Sequence, residues 1–131
     1  MVNSKNDETK RALKQVIPKS PKEEENILNE IALMQMSPHP NILNYFESYK
    51  LERNIFIVLE LMECNMTDIV IEKSGTIPEK LIAYVLRETL QGLNFLHNVH
   101  RMHRDIKSDN ILMNLEGDVK LGDFGYAAQL T

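Results

Sequence analysis

The sequence predicts an α+β fold in which strands dominate the first part of the chain and helices the second. Two short apolar runs, at 11–17 and 54–59, have the length and the bounding residues of strands. The segment at 78–99 instead repeats apolar residues at helical spacing. With 131 residues, 43% of them hydrophobic, the chain suits one modest domain with a core. We therefore expect a sheet in the first part of the chain and a helical part after it.

Composition and charge exclude several classes of protein. A net charge of −4 does not suit a general binder of nucleic acids or membrane surfaces. No apolar run approaches the roughly 18 residues of a membrane span, and the first ten residues contain no apolar signal core. The single cysteine, Cys64, cannot form a disulfide within the chain. We expect a cytoplasmic or nuclear protein with no nucleic-acid partner and no membrane span.

Local signals define the elements of the first part of the chain. Residues 3–10 are polar and predict a loop, and the run at 11–17 predicts a strand that a proline ends. Ser20 followed by Pro21 is typical of a helix start, with Ser20 as the N-cap. The helix is predicted to run through Met36. Its predicted inward face consists of Ile27, Leu28, Ile31 and Met34.

The same signals place the following elements. Strands are predicted at 42–49 and 54–59, joined by a turn at 51–54. A short helix is predicted at 66–73 and a long one at 78–99. The long helix carries an apolar stripe that we predict to be core. The stripe consists of Ile82, Val85, Leu86, Thr89, Leu90, Leu93 and Leu96.

Two short motifs lie near the end of the chain. Residues 103–110 read His-Arg-Asp-Ile-Lys-Ser-Asp-Asn, and residues 123–125 read Asp-Phe-Gly. Between them, the segments at 111–114 and 119–121 predict a β-hairpin with Gly117 at its turn. The hairpin would hold the two motifs side by side. Taken singly, each polar residue here could be a solvated loop residue.

Together the two motifs resemble the catalytic signature of protein kinases, with Ile106 in place of a leucine. The resemblance implies that Asp105 orients the substrate hydroxyl group or accepts its proton. It also implies that Asn110 and Asp123 hold Mg²⁺. Lys107 is similar to the lysine by which serine/threonine kinases contact the transferred phosphate. The expected chemistry is therefore phosphoryl transfer from ATP.

A second set of residues resembles the phosphate-binding pair of kinases. Ala12-Leu13-Lys14 is similar to the V-A-I-K strand, and Glu30 lies on the helix that follows. The resemblance implies that Lys14 contacts the α- and β-phosphates of ATP and that Glu30 forms an ion pair with Lys14. From the residues alone, Lys14 could instead be a surface lysine on an edge strand, and Glu30 a solvated helix charge.

The run that ends at Leu59 leads into what resembles the kinase hinge. The resemblance implies that adenine bonds the backbone of Glu60 and Met62, with Leu59 as the gatekeeper of the pocket. The other implied nucleotide contacts are Ala12 above adenine, Leu112 below it and Asn65 at the ribose, where the chain is one residue shorter than similar kinases. Without the flanking motifs, this segment would simply be a core strand and its exit.

Two further features have competing interpretations. His97, His100 and His103 recur at intervals of three, which could indicate a metal site. The helix is expected to end near His100, so the three rings would not share one face, and His103 is predicted to pack beneath the catalytic loop. Cys64 lies beside the predicted nucleotide site and could be reactive, although a free cysteine is more often inert.

The resemblance implies a two-lobe kinase-like fold that is incomplete. Residues 1–59 would form part of the N-lobe with its helix, 60–65 the hinge, and 66–131 the first part of the helical C-lobe. The chain has no glycine before Gly75, so no glycine-rich loop precedes Lys14, and no A-P-E motif follows 123–125. We expect about half of a kinase domain, either a fragment or a truncated product, that is poorly stable and inactive by itself.

Three stretches, at 103–112, 116–125 and 128–131, are similar to the p21-activated and Ste20-like serine/threonine kinases. This resemblance implies ATP and Mg²⁺ as cofactors and protein substrates that carry serine or threonine. It also points to a small GTPase partner that would bind regions outside this chain. The alternative function is that of a non-catalytic module that binds a partner or competes with a complete kinase. A nucleotide-binding fold of another type is disfavoured because the sequence contains no P-loop or dinucleotide motif.

Overall fold

The computed structural model describes residues 2–3, 9–73 and 75–130. Strands dominate the chain up to Glu60 and helices follow, which confirms the predicted α+β class. The elements in chain order are β1 (Val2–Asn3), β2 (Lys10–Val16), α1 (Pro21–Gln35), β3 (Tyr45–Leu51), β4 (Asn54–Glu60), β5 (Cys64–Asn65), α2 (Met66–Lys73), α3 (Glu79–Asn98), β6 (Arg101–Met102), a 3₁₀ turn (Ser108–Asn110), β7 (Ile111–Met113), β8 (Val119–Leu121) and β9 (Ala128–Gln129).

Three antiparallel sheets organise the described chain. The largest has the strand order β1-β2-β4-β3, the second has the order β5-β7-β8, and β6 pairs with β9. In the first sheet, Ala12 is opposite Leu59 and Lys14 is opposite Ile57. Because side chains alternate between the two faces of a strand, Ala12 and Lys14 share one face of β2. Strand pairing thus places two predicted nucleotide contacts on the same side of the sheet.

Most predicted elements are confirmed, with shifts at two loops. The strand predicted at 42–49 forms at Tyr45–Leu51 instead, because the chain before it makes only an isolated bridge between Ile42 and Leu121. The loop predicted at 3–10 is wrong at its two ends, since Asn3 pairs with Lys10 in a ladder. Residues 4–8 of that loop lie outside the described residues.

The helix α1 begins as predicted but presents a different face to the core. Ser20 is the N-cap, and its Oγ accepts a hydrogen bond from the Glu23 N–H at 3.1 Å. Leu28, predicted to face inward, is 53% exposed, whereas Leu33 is buried. Successive residues of an α-helix are rotated by about 100° around its axis. Viewed along this axis, the buried side of α1 extends from Leu33 through Glu30 to Ile31, and Leu28 lies outside it. The side chain of Glu30 is therefore largely covered.

A single apolar cluster joins the large sheet, α1, α3 and the β7–β8 hairpin. Its fully covered members include Ile42, Ile57 and Leu121. Gly92 allows α3 to approach closely, because a Cβ at this position would lie 2.9 Å from the carbonyl oxygen of Asn41. The core therefore fixes α3 against the strand that leads to the Asp-Phe-Gly motif.

The apolar stripe of α3 is only partly core. Val85, Thr89 and Leu96 are buried, as predicted. Ile82, Leu86 and Leu90 are 45%, 54% and 61% exposed, so the prediction that they are core is wrong for the described chain. These three recur every four residues and form a face turned away from β8, against which α3 packs. No helix among the described residues is long and apolar enough to cross a membrane.

We predict that Glu88→Gln removes a part of the stability that is sensitive to acid. The Asn41 amide donates to the Glu88 carboxylate at 2.7 Å, and this bond, together with Arg87, lowers the pKa of Glu88 below its ordinary value of 4.5. A carboxyl group whose pKa is lowered by folding contributes stability above its unfolded-state pKa, and this is lost as the pH falls through the lowered value. Urea unfolding from about pH 5 down to about pH 3 should show a smaller loss for Glu88→Gln than for the wild type.

The control for this experiment is Glu25→Gln, because the Glu25 side chain is 62% exposed and pairs only with its helix neighbour Lys22 in the described contacts. This control should keep the pH dependence of the wild type. Identical acid sensitivity of Glu88→Gln and the wild type would contradict the assigned role of Glu88.

Candidate active site

The imidazole of His103 connects the two sequence motifs. His103 is 1% exposed, its Nε2 lies 2.7 Å from the carbonyl oxygen of Gly122, and its Nδ1 lies 3.2 Å from the backbone nitrogen of Asp105. A carbonyl oxygen only accepts and a backbone N–H only donates, so the ring is neutral and carries its proton on Nε2. The ring also packs edge-on against Phe124 at 5.3 Å. The predicted packing role of His103 beneath the loop is confirmed.

Asp105 is held by two other predicted catalytic residues. The Asn110 side-chain amide donates to the backbone carbonyl oxygen of Asp105 at 2.9 Å and to its Oδ2 at 3.0 Å. Lys107 Nζ lies 3.6 Å from the same Oδ2. The carboxylate is 20% exposed, and within the described contacts its Oδ1 has no partner. One oxygen is therefore fixed by the protein while the other can receive a proton from a bound hydroxyl group.

The β7–β8 hairpin places Asn110 next to the segment that carries Asp123. Asn110 is 7% exposed, and its carbonyl oxygen accepts a bond from the Gly122 N–H at 2.9 Å. Asp123 is exposed and adopts a φ of 54°, and its Oδ1 accepts a bond from the Gly125 N–H at 3.1 Å. Residues with side chains rarely adopt this left-handed conformation, which turns the Asp123 backbone sharply at the end of the strand.

The donor atoms left at these two residues fit a small divalent cation. Among the described contacts, Oδ1 of Asn110 and Oδ2 of Asp123 carry no hydrogen bond, and both are hard oxygen donors. No group of three or more His, Cys, Asp or Glu side chains converges anywhere in the part of the chain that the structure describes. A cation at this place would complete its coordination with substrate oxygens and water, as Mg²⁺ usually does.

Lys14 and Glu30 lie together across the gap between β2 and α1. Lys14 Nζ is 3.4 Å from Glu30 Oε1, with Lys14 46% exposed and Glu30 12% exposed. A pair with one partner this exposed contributes only about 0.2–1 kcal/mol to stability, so its effect is mainly to orient the lysine. A Cβ on Gly125 would lie 3.7 Å from Glu30 Oε2. The helix, the lysine and the Asp-Phe-Gly segment therefore meet at Glu30.

A cleft of about 370 Å³ opens between the large sheet and the hairpin. Its lining includes six predicted nucleotide contacts, namely Ala12, Leu59, Glu60, Met62, Asn65 and Leu112. The other two predicted contacts, Lys14 and Asp123, are not part of this lining. Cys64, which we predicted to lie beside the nucleotide, also lines the cleft, as do three residues that the sequence did not single out: Leu43, Glu63 and Asp68.

The side chain of Asn65, predicted to contact ribose, caps a helix. Its Oδ1 accepts a bond from the Asp68 N–H at 2.9 Å, while the Asn65 N–H donates to Asp68 Oδ2 at 3.2 Å. This reciprocal pair is a capping box at the start of α2. An Asn followed three residues later by an Asp is a sequence signal that could have predicted it. Asp68 is thereby fixed at the rim of the cleft, next to Asn65.

A buried ion pair that the sequence did not predict supports the hinge segment. Lys120 is 8% exposed, and its Nζ lies 2.7 Å from both carboxylate oxygens of Glu60. Glu60 Oε2 also accepts a bond from the Asn44 N–H at 3.2 Å. The signal in the sequence is a single charge inside the otherwise apolar run Val119-Lys120-Leu121, where a buried lysine needs a partner.

Comparisons with known proteins agree with the motifs. A family model described as the protein kinase domain matches residues 1–131. The chain is 50% identical over 121 residues to the serine/threonine-protein kinase STE20 of Saccharomyces cerevisiae, which covers 91% of the chain and 13% of STE20. It is 45% identical over 130 residues to the serine/threonine-protein kinase CLA4 of Eremothecium gossypii, covering 93% of the chain and 16% of CLA4.

A third relative gives a similar match. The serine/threonine-protein kinase pakC of Dictyostelium discoideum is 48% identical over 108 residues, covering 80% of the chain and 23% of pakC. The chain thus spans less than a quarter of each of these three relatives, although most of the chain is matched.

We predict that Lys120→Met destabilises the domain by about 2–3 kcal/mol, because Glu60 would be left as a mostly covered charge without its cation. Thermal or urea unfolding of the natural protein that contains this chain measures the effect. Lys22→Met is the control, since the Lys22–Glu25 pair is 74% and 62% exposed and should contribute only a few tenths of a kcal/mol. Equal losses for the two variants would contradict the assigned importance of the Glu60–Lys120 pair.

We also predict that Cys64 reacts slowly with iodoacetamide at neutral pH. Burial, followed by the negative charges of Asp68, Glu63 and Glu72, raises the pKa of Cys64 above its ordinary value of 9.0. The thiolate is the reactive form, so the rate should continue to rise as the pH passes 9.0. Mass spectrometry of the Cys64 peptide at a series of pH values gives the rate. A plateau below pH 9.0 would show that the pKa is not raised.

Proposed function

Because the chain belongs to the protein kinase family, we propose that the protein containing it transfers the γ-phosphoryl group of ATP to serine and threonine hydroxyl groups of other proteins. The three relatives described above are named serine/threonine-protein kinases, and the family uses ATP and Mg²⁺ in general. The observation that carries the proposal is the arrangement around Asp105, where Asn110 and Lys107 converge on one carboxylate oxygen.

Asp105 is the group that receives the substrate hydroxyl. With Oδ2 bonded to Asn110, the free Oδ1 orients the hydroxyl group and takes up its proton as the oxygen attacks phosphorus. Lys107 lies beside the other oxygen, Oδ2, and its positive charge stabilises the negative charge of the phosphoryl group in transit.

Asn110 and Asp123 are the residues that would hold Mg²⁺, through one amide oxygen and one carboxylate. When bound, Mg²⁺ neutralises charge on the phosphate oxygens. Lys14, oriented by Glu30, contacts the remaining phosphate oxygens of ATP. These four side chains belong to β2, α1, the 3₁₀ turn and the segment after β8, so their convergence depends on the packing of the whole domain.

The cleft of about 370 Å³ receives the adenine base. Ala12, Leu59 and Leu112 supply apolar walls, and the hinge backbone at Glu60 and Met62 supplies the polar contacts. The buried ion pair between Lys120 and Glu60 holds the end of β4, where the predicted hinge begins, against β8. A small GTPase partner that binds outside these residues, and a cytoplasmic or nuclear location, are further proposals that rest on the family resemblance alone.

The decisive experiment is Asp105→Asn in the natural protein that contains this chain. Asparagine preserves the size of the side chain and an oxygen that can accept the Asn110 bond, but it cannot take up a proton. We expect kcat for phosphorylation of a protein substrate to fall by about 10²–10⁴-fold, while the affinity for Mg-ATP stays within about twofold of the wild type, because Asp105 does not line the cleft.

The matched control is Asp109→Asn, which changes an exposed aspartate in the adjoining 3₁₀ turn. It should retain activity close to that of the wild type. Activity in Asp105→Asn equal to that of this control would refute the proposed role of Asp105. A wild-type protein that binds ATP but phosphorylates no protein would favour a non-catalytic role instead.

A further inference from the structure

Arg101 contacts the end of α1, the helix that carries Glu30, and strand β9, which follows the Asp-Phe-Gly motif, although Arg101 is not itself part of the site. It is the first residue of β6 and is partly exposed. Its Nη1 donates to the carbonyl oxygen of Met36 and, at 3.0 Å, to Oγ of Ser37. Its Nε donates to Oε1 of Gln129 at 2.9 Å. One guanidinium group therefore bridges the end of α1 and strand β9.

At the end of α1, Arg101 supplies a charge that the helix lacks. Met36 is the C-cap of α1, and the buried Ser37 donates from its hydroxyl group to the Leu33 carbonyl oxygen at 2.6 Å. The first turn of α1 contains acidic residues, but its last turn contains no basic residue. The carbonyl end of a helix is partially negative, so a cation there is stabilising. Arg101 provides that cation through charge-assisted hydrogen bonds.

At β9, Gln129, which accepts the bond from the guanidinium group, is itself held by several hydrogen bonds. Gln129 is opposite Arg101 in the β6–β9 ladder. The Gln129 side-chain amide donates to the carbonyl oxygens of Val99, His100 and Leu130 at 3.3, 3.1 and 3.1 Å. The Leu130 N–H donates to the His100 carbonyl oxygen at 2.7 Å. The segment after the Asp-Phe-Gly motif is thus fixed against β6, and Arg101 extends this contact to α1.

We propose that Arg101 is a positioning residue that couples the segment following Asp123-Phe124-Gly125 to α1. When β9 is formed, Gln129 orients the guanidinium group toward Met36, and α1 is held where Glu30 reaches Lys14. When β9 is displaced, the guanidinium group loses its anchor and α1 is held less firmly. Only the consequence for activity rests on the proposed kinase function, since the mechanical coupling exists without catalysis.

Hydrogen exchange of α1 tests the coupling directly. In the natural protein that contains this chain, Gln129→Leu is made in the wild type and in an Arg101→Met background. With Arg101 present, Gln129→Leu should speed the exchange of the backbone amides at 31–36 by about tenfold, the effect expected for weakening one charged hydrogen bond. In the Arg101→Met background, Gln129→Leu should change the exchange of these amides by less than about twofold, because the link between the two segments is already broken.

Two further variants keep the test decisive. Arg53→Met, in the turn between β3 and β4, is the control for loss of an arginine and should leave the exchange of α1 unchanged. If Arg101→Met does not fold, Arg101→Lys replaces it, because a single ammonium group cannot donate to Met36 and Gln129 from separated nitrogens. An effect of Gln129→Leu on α1 that is the same with and without Arg101, or absent in both, would overturn the proposal.

Kinetics then separate this inference from the proposed function. Arg101→Met should raise KM for ATP severalfold with a smaller change in kcat, because the orientation of Lys14 by Glu30 is weakened while Asp105 is untouched. A protein that phosphorylates nothing but shows the coupled exchange would refute the kinase function and support the role of Arg101. An active kinase in which Arg101→Met and Gln129→Leu act independently on α1 would support the kinase function and refute the role of Arg101.

Discussion

The two hydrogen bonds of the His103 ring are the constraint on which the candidate site depends. One ring nitrogen receives the backbone N–H of Asp105 and the other donates to the carbonyl oxygen of Gly122, directly before Asp123. The backbone of Asp105 and the carbonyl group directly before Asp123 are thereby held by one buried ring. A buried imidazole can serve both partners only while it is neutral, so its burial is part of how the geometry is maintained.

Around this link, weak interactions act mainly by positioning. The Lys14–Glu30 pair is half open to solvent on the lysine side and contributes little energy, yet it orients the ammonium group of Lys14. The buried pair between Glu60 and Lys120 is different, because removal of one partner leaves the other charge largely shielded from water. The site therefore combines a largely covered ion pair at the predicted hinge with a half-exposed ion pair at α1.

The sequence predicted those parts of the structure whose determinants are local or belong to a motif. Ser20 and Pro21 identified the start of α1. The segments at 111–114 and 119–121, with Gly117 at the turn between them, identified the hairpin that brings Asn110 near the segment carrying Asp123. Helical periodicity gave the length of α1 and α3 but not the direction of their buried faces, which is why Leu28 and Leu90 were assigned wrongly. The direction is decided by neighbouring elements, and a single helical pattern contains no information about them.

Contacts between distant residues were the main omissions. Arg101 bonds to Met36 across 65 positions, and Lys120 bonds to Glu60 across 60. Neither contact has a local signature beyond a charge in an unexpected place.

Asn65 was assigned to ribose by its position in the motif order, and its side chain also satisfies the backbone at the start of α2. Local hydrogen bonding of this kind is why asparagine is favoured at helix starts.

The Glu60–Lys120 pair also constrains how this protein can diverge. A substitution at either position alone leaves a covered charge without a partner, so a lineage that changes one must soon change the other or return to the original residue. The two positions lie in different sheets and are far apart in the chain. The residues at positions 60 and 120 should therefore covary in an alignment of descendants. Such covariation would show that the predicted hinge and the strand before Asp123 depend on each other through this ion pair.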